Sequence, residues 1–289
     1  MTRTRVRIVL AVLLTVALAF ALAACGDDDD SAGSTAATTP AADCSPAALP
    51  LVSSGELTVG ADKPAFPPYI IDDDPTNGKG FESAVAYAIA DELGFAPADV
   101  AWIVVPFNSA FAPGPKKFDF DINQISISPA RAKQVDFSAP YYTTPQAVLV
   151  GQGSEYAEAT TTAELSDAQI GVQVGTTSLD AANDVISPSK QPRVYNDSND
   201  TVRALKSGQV DAIVVDLPTA FILQATEIDG GRIVGQFSAP GGNDWGVVLN
   251  KGSRLTPCVD AAIGRLRDSG ELEKITQQWI GAEAVPALN

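Results

Sequence analysis

Arg131 stands in the stretch ISISPARAKQVDFSAPYY, residues 125–142, of a chain with 35 acidic and 19 basic residues. Ser126 and Ser128 alternate ahead of Pro129 and the arginine. A guanidinium is a planar fork of N–H donors and holds a small carboxylate in one orientation. The plainer alternative is a surface ion pair with Asp136. In QVGTTSLD, Gly175 permits a tight turn, and Thr176, Thr177 and Ser178 lead into a helix start. Free N–H groups there attract an anion; an ordinary cap with Thr177 and Asp180 in capping-box-like spacing is the alternative. Asp216 ends the apolar run AIVVD. A carboxylate in that position needs a cation or several donors, unless it caps the helix that Pro218 opens.

What is missing narrows the chemistry further. The chain has no histidine, which excludes Ser-His-Asp and Cys-His catalysis and HExxH zinc sites. No metal or cofactor motif is found, so neither is expected. The acidic balance argues against nucleic acid as a partner.

Three arginines (Arg3, Arg5, Arg7), an apolar run from Ile8 to Ala24 and then Cys25 read as an export leader, slightly short for a membrane span. LAAC, ending at Cys25, has the pattern of a lipobox, which makes Cys25 the expected lipidation site. The expected division is a lipoprotein signal peptide over 1–24 and a flexible, lipid-anchored linker over 25–45. The polar GDDDDSAGSTAATTPAAD stretch suits such a tether. Cys44 and Cys258 then remain, and in an exported protein such a pair is expected as a disulfide, with two free thiols as the alternative.

The elements that would position these residues alternate between strand and helix. ELTVGA, VAWIVVPF and KFDFDINQISIS read as strands, and GFESAVAYAIADELG as a helix presenting Phe81, Ala84, Val85, Ala88, Ile89 and Leu93 on one face. QAVLVG and GRIVGQF read as strands. IGVQ and AIVVD are strands each leading into a helix, WGVVLNKGS is a strand, and the chain closes with helices over PCVDAAIGRLRDSGELEKITQQWIG. The class is α/β. A folded part of this length favours two lobes, with Pro-flanked stretches near 140–146 and 236–243 as the crossings between them. The expected lobes are 46–143, then 144–240, then a return to the first lobe over 241–289.

In this order, GELTVGAD, GFESAVAYAIADELG, KFDFDINQISISPARAKQVDFSAPYY, IGVQVGTTSLDAA, LKSGQVDAIVVDLPTA and SGELEKITQQWIG resemble the bacterial solute-binding proteins of family 3. These are extracytoplasmic amino-acid receptors of ABC importers, and the likeness spans residues 50–281. It implies a type II, two-lobed periplasmic-binding-protein (Venus-flytrap) fold with two hinge strands. It also implies that Arg131 holds a ligand's α-carboxylate with Ser126 and Thr177 beside it, and that Asp216 accepts the α-ammonium. By the same resemblance Asp62 and Phe66 meet the ligand's side chain, with one extra residue in this loop, Phe107 walls the opposite side, and Gln173 lines the pocket. Asp121 and Gln124 depart from the small or apolar residues usual at their positions, and Gln124 is placed to face the pocket.

The expected function is therefore capture of a polar amino acid by lobe closure. A monomer anchored at the outer face of the cytoplasmic membrane would deliver its ligand to an ABC permease. Two alternatives share the fold: a cyclohexadienyl (arogenate) dehydratase-like enzyme, and a sensing module for a separate signalling partner.

Overall fold

The computed structural model describes residues 43–240, 242–281 and 285–289. The leader and most of the tether, Cys25 included, lie outside the described residues. In chain order the strands are β1 Leu57–Ala61, β2 Val100–Val104, β3 Phe120–Asp121, β4 Asp136–Phe137, β5 Tyr142–Thr143 and β6 Gln146–Val150. They continue as β7 Ile170–Gln173, β8 Arg193–Tyr195, β9 Ala212–Asp216, β10 Arg232–Phe237, β11 Asp244–Trp245 and β12 Val248–Leu249. The α-helices are α1 Phe81–Glu92, α2 Phe107–Ala110, α3 Thr177–Ala181, α4 Ser198–Lys206, α5 Leu217–Thr226, α6 Thr256–Asp268 and α7 Glu271–Trp279.

These form two five-stranded sheets, ordered β2-β1-β3-β12-β4 and β10-β6-β9-β7-β8. Each lobe is built on one sheet. β1 and β6 are buried at every residue, as central strands covered on both faces must be. In the first lobe α1 packs on α6 and α7, around Leu57, Phe81, Phe120 and Trp245. The second core gathers Val148, Ile170, Val172 and Val214.

Between the sheets lies a two-stranded antiparallel ribbon, β5 with β11, pairing Tyr142 with Trp245 and Thr143 with Asp244. β5 runs on into β6 and β10 leads towards β11, so the two crossing segments are bonded to each other. Trp245 is fully buried here, with the rings of Tyr142, Tyr69 and Tyr141 at 5.0, 5.7 and 6.2 Å. Cys44 and Cys258 are disulfide-bonded across 214 residues, which ties the start of the folded part to α6. A loop of that size constrains the unfolded chain by about 5 kcal/mol in the chain-entropy model.

Four expectations are corrected. KFDFDINQISIS holds a paired strand only at Phe120–Asp121; Gln124, at φ 46°, breaks it before Ser126 makes a single bridge to Trp245. WGVVLNKGS is two short strands parted at Gly246, whose Cβ position is filled by the Ile127 side chain at 2.9 Å. The buried face of α1 includes Glu82, Ser83 and Ala86, while Ala84 and Ala88 are only partly covered. Finally, the last residues leave the first lobe. Gln236 N donates to the Pro286 carbonyl and Leu288 N to the Gln236 carbonyl, both at 2.9 Å, and Leu288 is buried in the second core.

Candidate functional site

A cavity of about 300 Å³ opens between the lobes. Its wall contains Asp62, Phe66, Phe107, Gln124, Ser126, Arg131, Gln173, Thr177 and Asp216, the nine residues expected there. They come from the ends of β1, β7 and β9, the broken segment after β3, and the starts of α2 and α3. Strand ends facing a crevice are where open α/β sheets present loops and helix starts to a ligand.

Arg131 sits in a 3-10 turn over Arg131–Lys133 and is 8% exposed. Its Nη1 donates to the Ser126 carbonyl at 2.6 Å and its Nη2 to the Gly175 carbonyl at 2.8 Å. The guanidinium lies over Phe111 and Phe107, 4.4 and 5.7 Å from the ring centroids. Burial lowers its pKa to about 10, opposed by the charges of Asp216 and Asp180, so it is cationic at neutral pH. Asp136 pairs instead with Lys251 at 3.0 Å. Among the described residues Arg131 forms no salt bridge. A buried, fully charged fork held by carbonyls has the chemistry to receive a carboxylate.

Asp216 faces it from the second lobe. The antiparallel register pairs Gln146 with Asp216, so their side chains share a face and Gln146 Nε2 donates to Asp216 Oδ1. Gln146 Oε1 in turn accepts from Ser178 Oγ at 2.6 Å. Asp216 occupies the cap position of α5 but makes no side-chain cap bond. Burial raises its pKa to about 7, opposed by the Gln146 bond and the Arg131 charge. Such a group favours a cation beside it.

The remaining residues fill in the two ends. Ser126 Oγ and Thr177 Oγ1 share a hydrogen bond of 3.2 Å across the cleft. Thr177 is the first residue of α3 and Thr176 holds the cap position without a side-chain cap bond, so the capping-box alternative does not describe this turn. Gln173 Oε1 accepts from Ser198 Oγ at 2.7 Å. Asp62 accepts from the Lys63 and Phe107 N–H groups at 2.7 and 3.2 Å; burial raises its pKa, and the charge of Asp197 adds to the rise. Phe66 is 41% exposed at the cavity's edge. Asp121 is not in the wall. It lies buried on β3 with neither oxygen bonded among the described residues, and burial pushes it well above the usual carboxylate range.

Several wall residues escaped sequence reasoning. Asp197 caps α4 by accepting from Asp200 N at 2.8 Å and also lines the cavity with Ser198. Its position before a helix was visible in the sequence, but β8, which delivers it, was not expected at all. Tyr69 and Thr219 meet across the cleft at 2.8 Å; nothing local in the sequence pairs them.

The profile of the bacterial extracellular solute-binding proteins, family 3, matches residues 57–282. The chain belongs to that family. The L-cystine-binding protein TcyJ of Escherichia coli (strain K12) is 30% identical over 79% of this chain and 84% of its own. An ancestral arginine-binding protein bound to glutamine is 30% identical, with TM-score 0.67, over 80% of this chain and 100% of that one. The ancestral amino acid-binding protein AncCDT-1, a precursor of cyclohexadienyl dehydratase, is 28% identical with TM-score 0.64, over 78% and 95%. The chain therefore has the two-lobed type II fold, and family membership makes it an extracellular solute-binding protein.

Proposed function

We propose that this family 3 protein captures a free amino acid with N–H donors on its side chain, by closing its lobes around it. The observation that carries the reading is the opposition of Arg131 and Asp216 across one cavity. A buried cation without a carboxylate partner among the described residues faces a buried acid that favours a cation, and a zwitterion satisfies both. At the other end Asp62 and Asp197 give the wall an acidic character that suits a cationic or amide side chain. The cystine-, arginine- and glutamine-binding relatives support a polar amino acid. For about ten heavy atoms, about −8 to −10 kcal/mol of binding free energy is attainable, which is micromolar or tighter.

Anchored through lipid on Cys25, the closed monomer would hand its ligand to the permease of an ABC importer. The deciding experiment is a thermal-shift screen of the common amino acids and cystine, with mass spectrometry of the purified protein to detect a carried-over ligand. A binder at about 100 times its Kd stabilises by about 2.7 kcal/mol. No shift, together with no carried-over amino acid, overturns the reading. The likeness to AncCDT-1 favours one second reading, a dehydratase; release of phenylalanine on adding arogenate would establish it in place of the first.

A further inference from the structure

Glu82 is a carboxylate on the buried face of α1, 0% exposed, and the capture mechanism makes no use of it. A buried acid is costly unless its oxygens are satisfied. Here they are. Gln124 N donates to Glu82 Oε1 at 2.6 Å, Gln124 Nε2 donates to Oε2, and Tyr141 Oη donates to Oε1. Both carboxylate oxygens therefore grip one residue, by its backbone and by its side chain. Gln124 is also one of the few non-glycine residues with positive φ, a conformation that surrounding structure must hold in place.

The consequence lies on the cavity side. Burial raises the Glu82 pKa to about 7, opposed by the hydrogen bonds from Tyr141 and from the Gln124 backbone and side chain. In its ionised form it accepts and does not donate, so the carboxamide nitrogen of Gln124 is drawn to it. With Nε2 held by Glu82, Oε1 is the side-chain polar atom that Gln124 has to offer the cavity it lines. Glu82 N donates to the Tyr69 carbonyl at 3.0 Å, and Tyr69 Oη meets Thr219 Oγ1 at 2.8 Å, three residues beyond Asp216, so Gln124, Tyr69 and Asp216 line one end of the same cavity.

Resting on the amino-acid reading above, we infer that Glu82 is a positioning residue that turns the Gln124 carbonyl oxygen into the cleft as a second acceptor for the ligand's α-ammonium, beside Asp216. Gln124 would otherwise offer an amide that presents oxygen or nitrogen indifferently. With Glu82 behind it, the wall accepts from N–H groups and repels acceptors.

Calorimetry of L-arginine and of its 2-hydroxy analogue against wild type, Glu82→Gln and Gln124→Met tests this. The ratio of the two Kd values, hydroxy over amino, should fall about tenfold in both variants, the loss of one charge-assisted hydrogen bond. Equal weakening of the two compounds is what a purely structural Glu82 would give, and it overturns the inference. An unchanged ratio in Gln124→Met overturns it as well, and that variant decides alone if Glu82→Gln does not fold. A second readout needs no ligand: the 15N-labelled Gln124 side-chain amide resonance should lie away from the position of free glutamine in wild type. It should return there in Glu82→Gln; identical signals refute the contact. If wild type binds no common amino acid, the functional reading is what fails, and the amide resonance still judges Glu82.

Discussion

Arg131 Nη2 donates to the carbonyl of Gly175 at 2.8 Å, from a turn in the first lobe to a turn in the second. The residue positioned to receive an anion is thus also a residue that joins the lobes. Ser126 with Thr177 and Tyr69 with Thr219 cross the same gap. Closure and the anion site share their atoms, so a ligand that reinforces one reinforces the other.

Replacing Arg131 by alanine should abolish amino-acid binding. It removes the fork and strands the ligand's carboxylate among buried groups, a loss of about 2–5 kcal/mol or more, hence roughly thirtyfold or greater. Arg131→Lys keeps the charge without the fork and should fall between. Calorimetry returning near-normal affinity for the alanine variant would remove the carboxylate role.

Asp216→Asn should weaken amino acids more than analogues that lack the amino group; equal losses would deny it the ammonium. The same variant carries a pH signature. The folded pKa of Asp216 is raised to about 7 from 3.8, so the folded protein holds a proton there that the unfolded chain releases. Stability from this group is then greatest below the unfolded value and falls as pH rises through about 7. Ligand-free Asp216→Asn should accordingly melt a few degrees above wild type at pH 8, with the gap closing towards pH 4. A constant gap across the titration would contradict the raised pKa.

Gly175→Ala tests the closed geometry. Gly175 has φ +77°, and a Cβ there would meet Asn108 Oδ1 at 1.9 Å. The variant should bind roughly tenfold more weakly, a loss of about 1.4 kcal/mol. In small-angle scattering it should remain more open than wild type when the ligand is added. Asn108→Ala in the same chain should recover part of the loss, though not the part due to backbone strain. Wild-type compaction in Gly175→Ala would show that these two turns do not meet in the closed form.

Serine at both Cys44 and Cys258 should lower the unfolding free energy by up to about 5 kcal/mol through lost unfolded-state constraint, and with it the melting temperature. Intact mass of the native protein should match the oxidised pair. A melting temperature unchanged by the double substitution would mean the bridge adds nothing to the fold.

The local sequence was most informative where chemistry and secondary structure coincide. An arginine after a serine ladder, a glycine turn before a helix and an aspartate at a strand's end each state both a role and a place in the fold. The nine residues that the motifs and the family resemblance singled out line one cavity. The two unassigned cysteines suggested a pair. These signals are short-range, carried by periodicity, turn residues and donor geometry.

What the sequence could not decide depends on which segments meet. The periodicity of α1 favoured an all-apolar face; only the approach of the segment after β3 explains why Glu82 faces inward. The same approach bends Gln124 out of a strand that its neighbours' alternation supports. β8 was missed because its three residues are half or fully exposed, so no apolar alternation marked it. The path of Pro286–Asn289 is set by the sheet edge at Gln236, to which nothing in those residues points. Local pattern fixes what each segment is able to be, whereas burial and hydrogen-bond partners, contributed by residues distant in the chain, decide what it becomes.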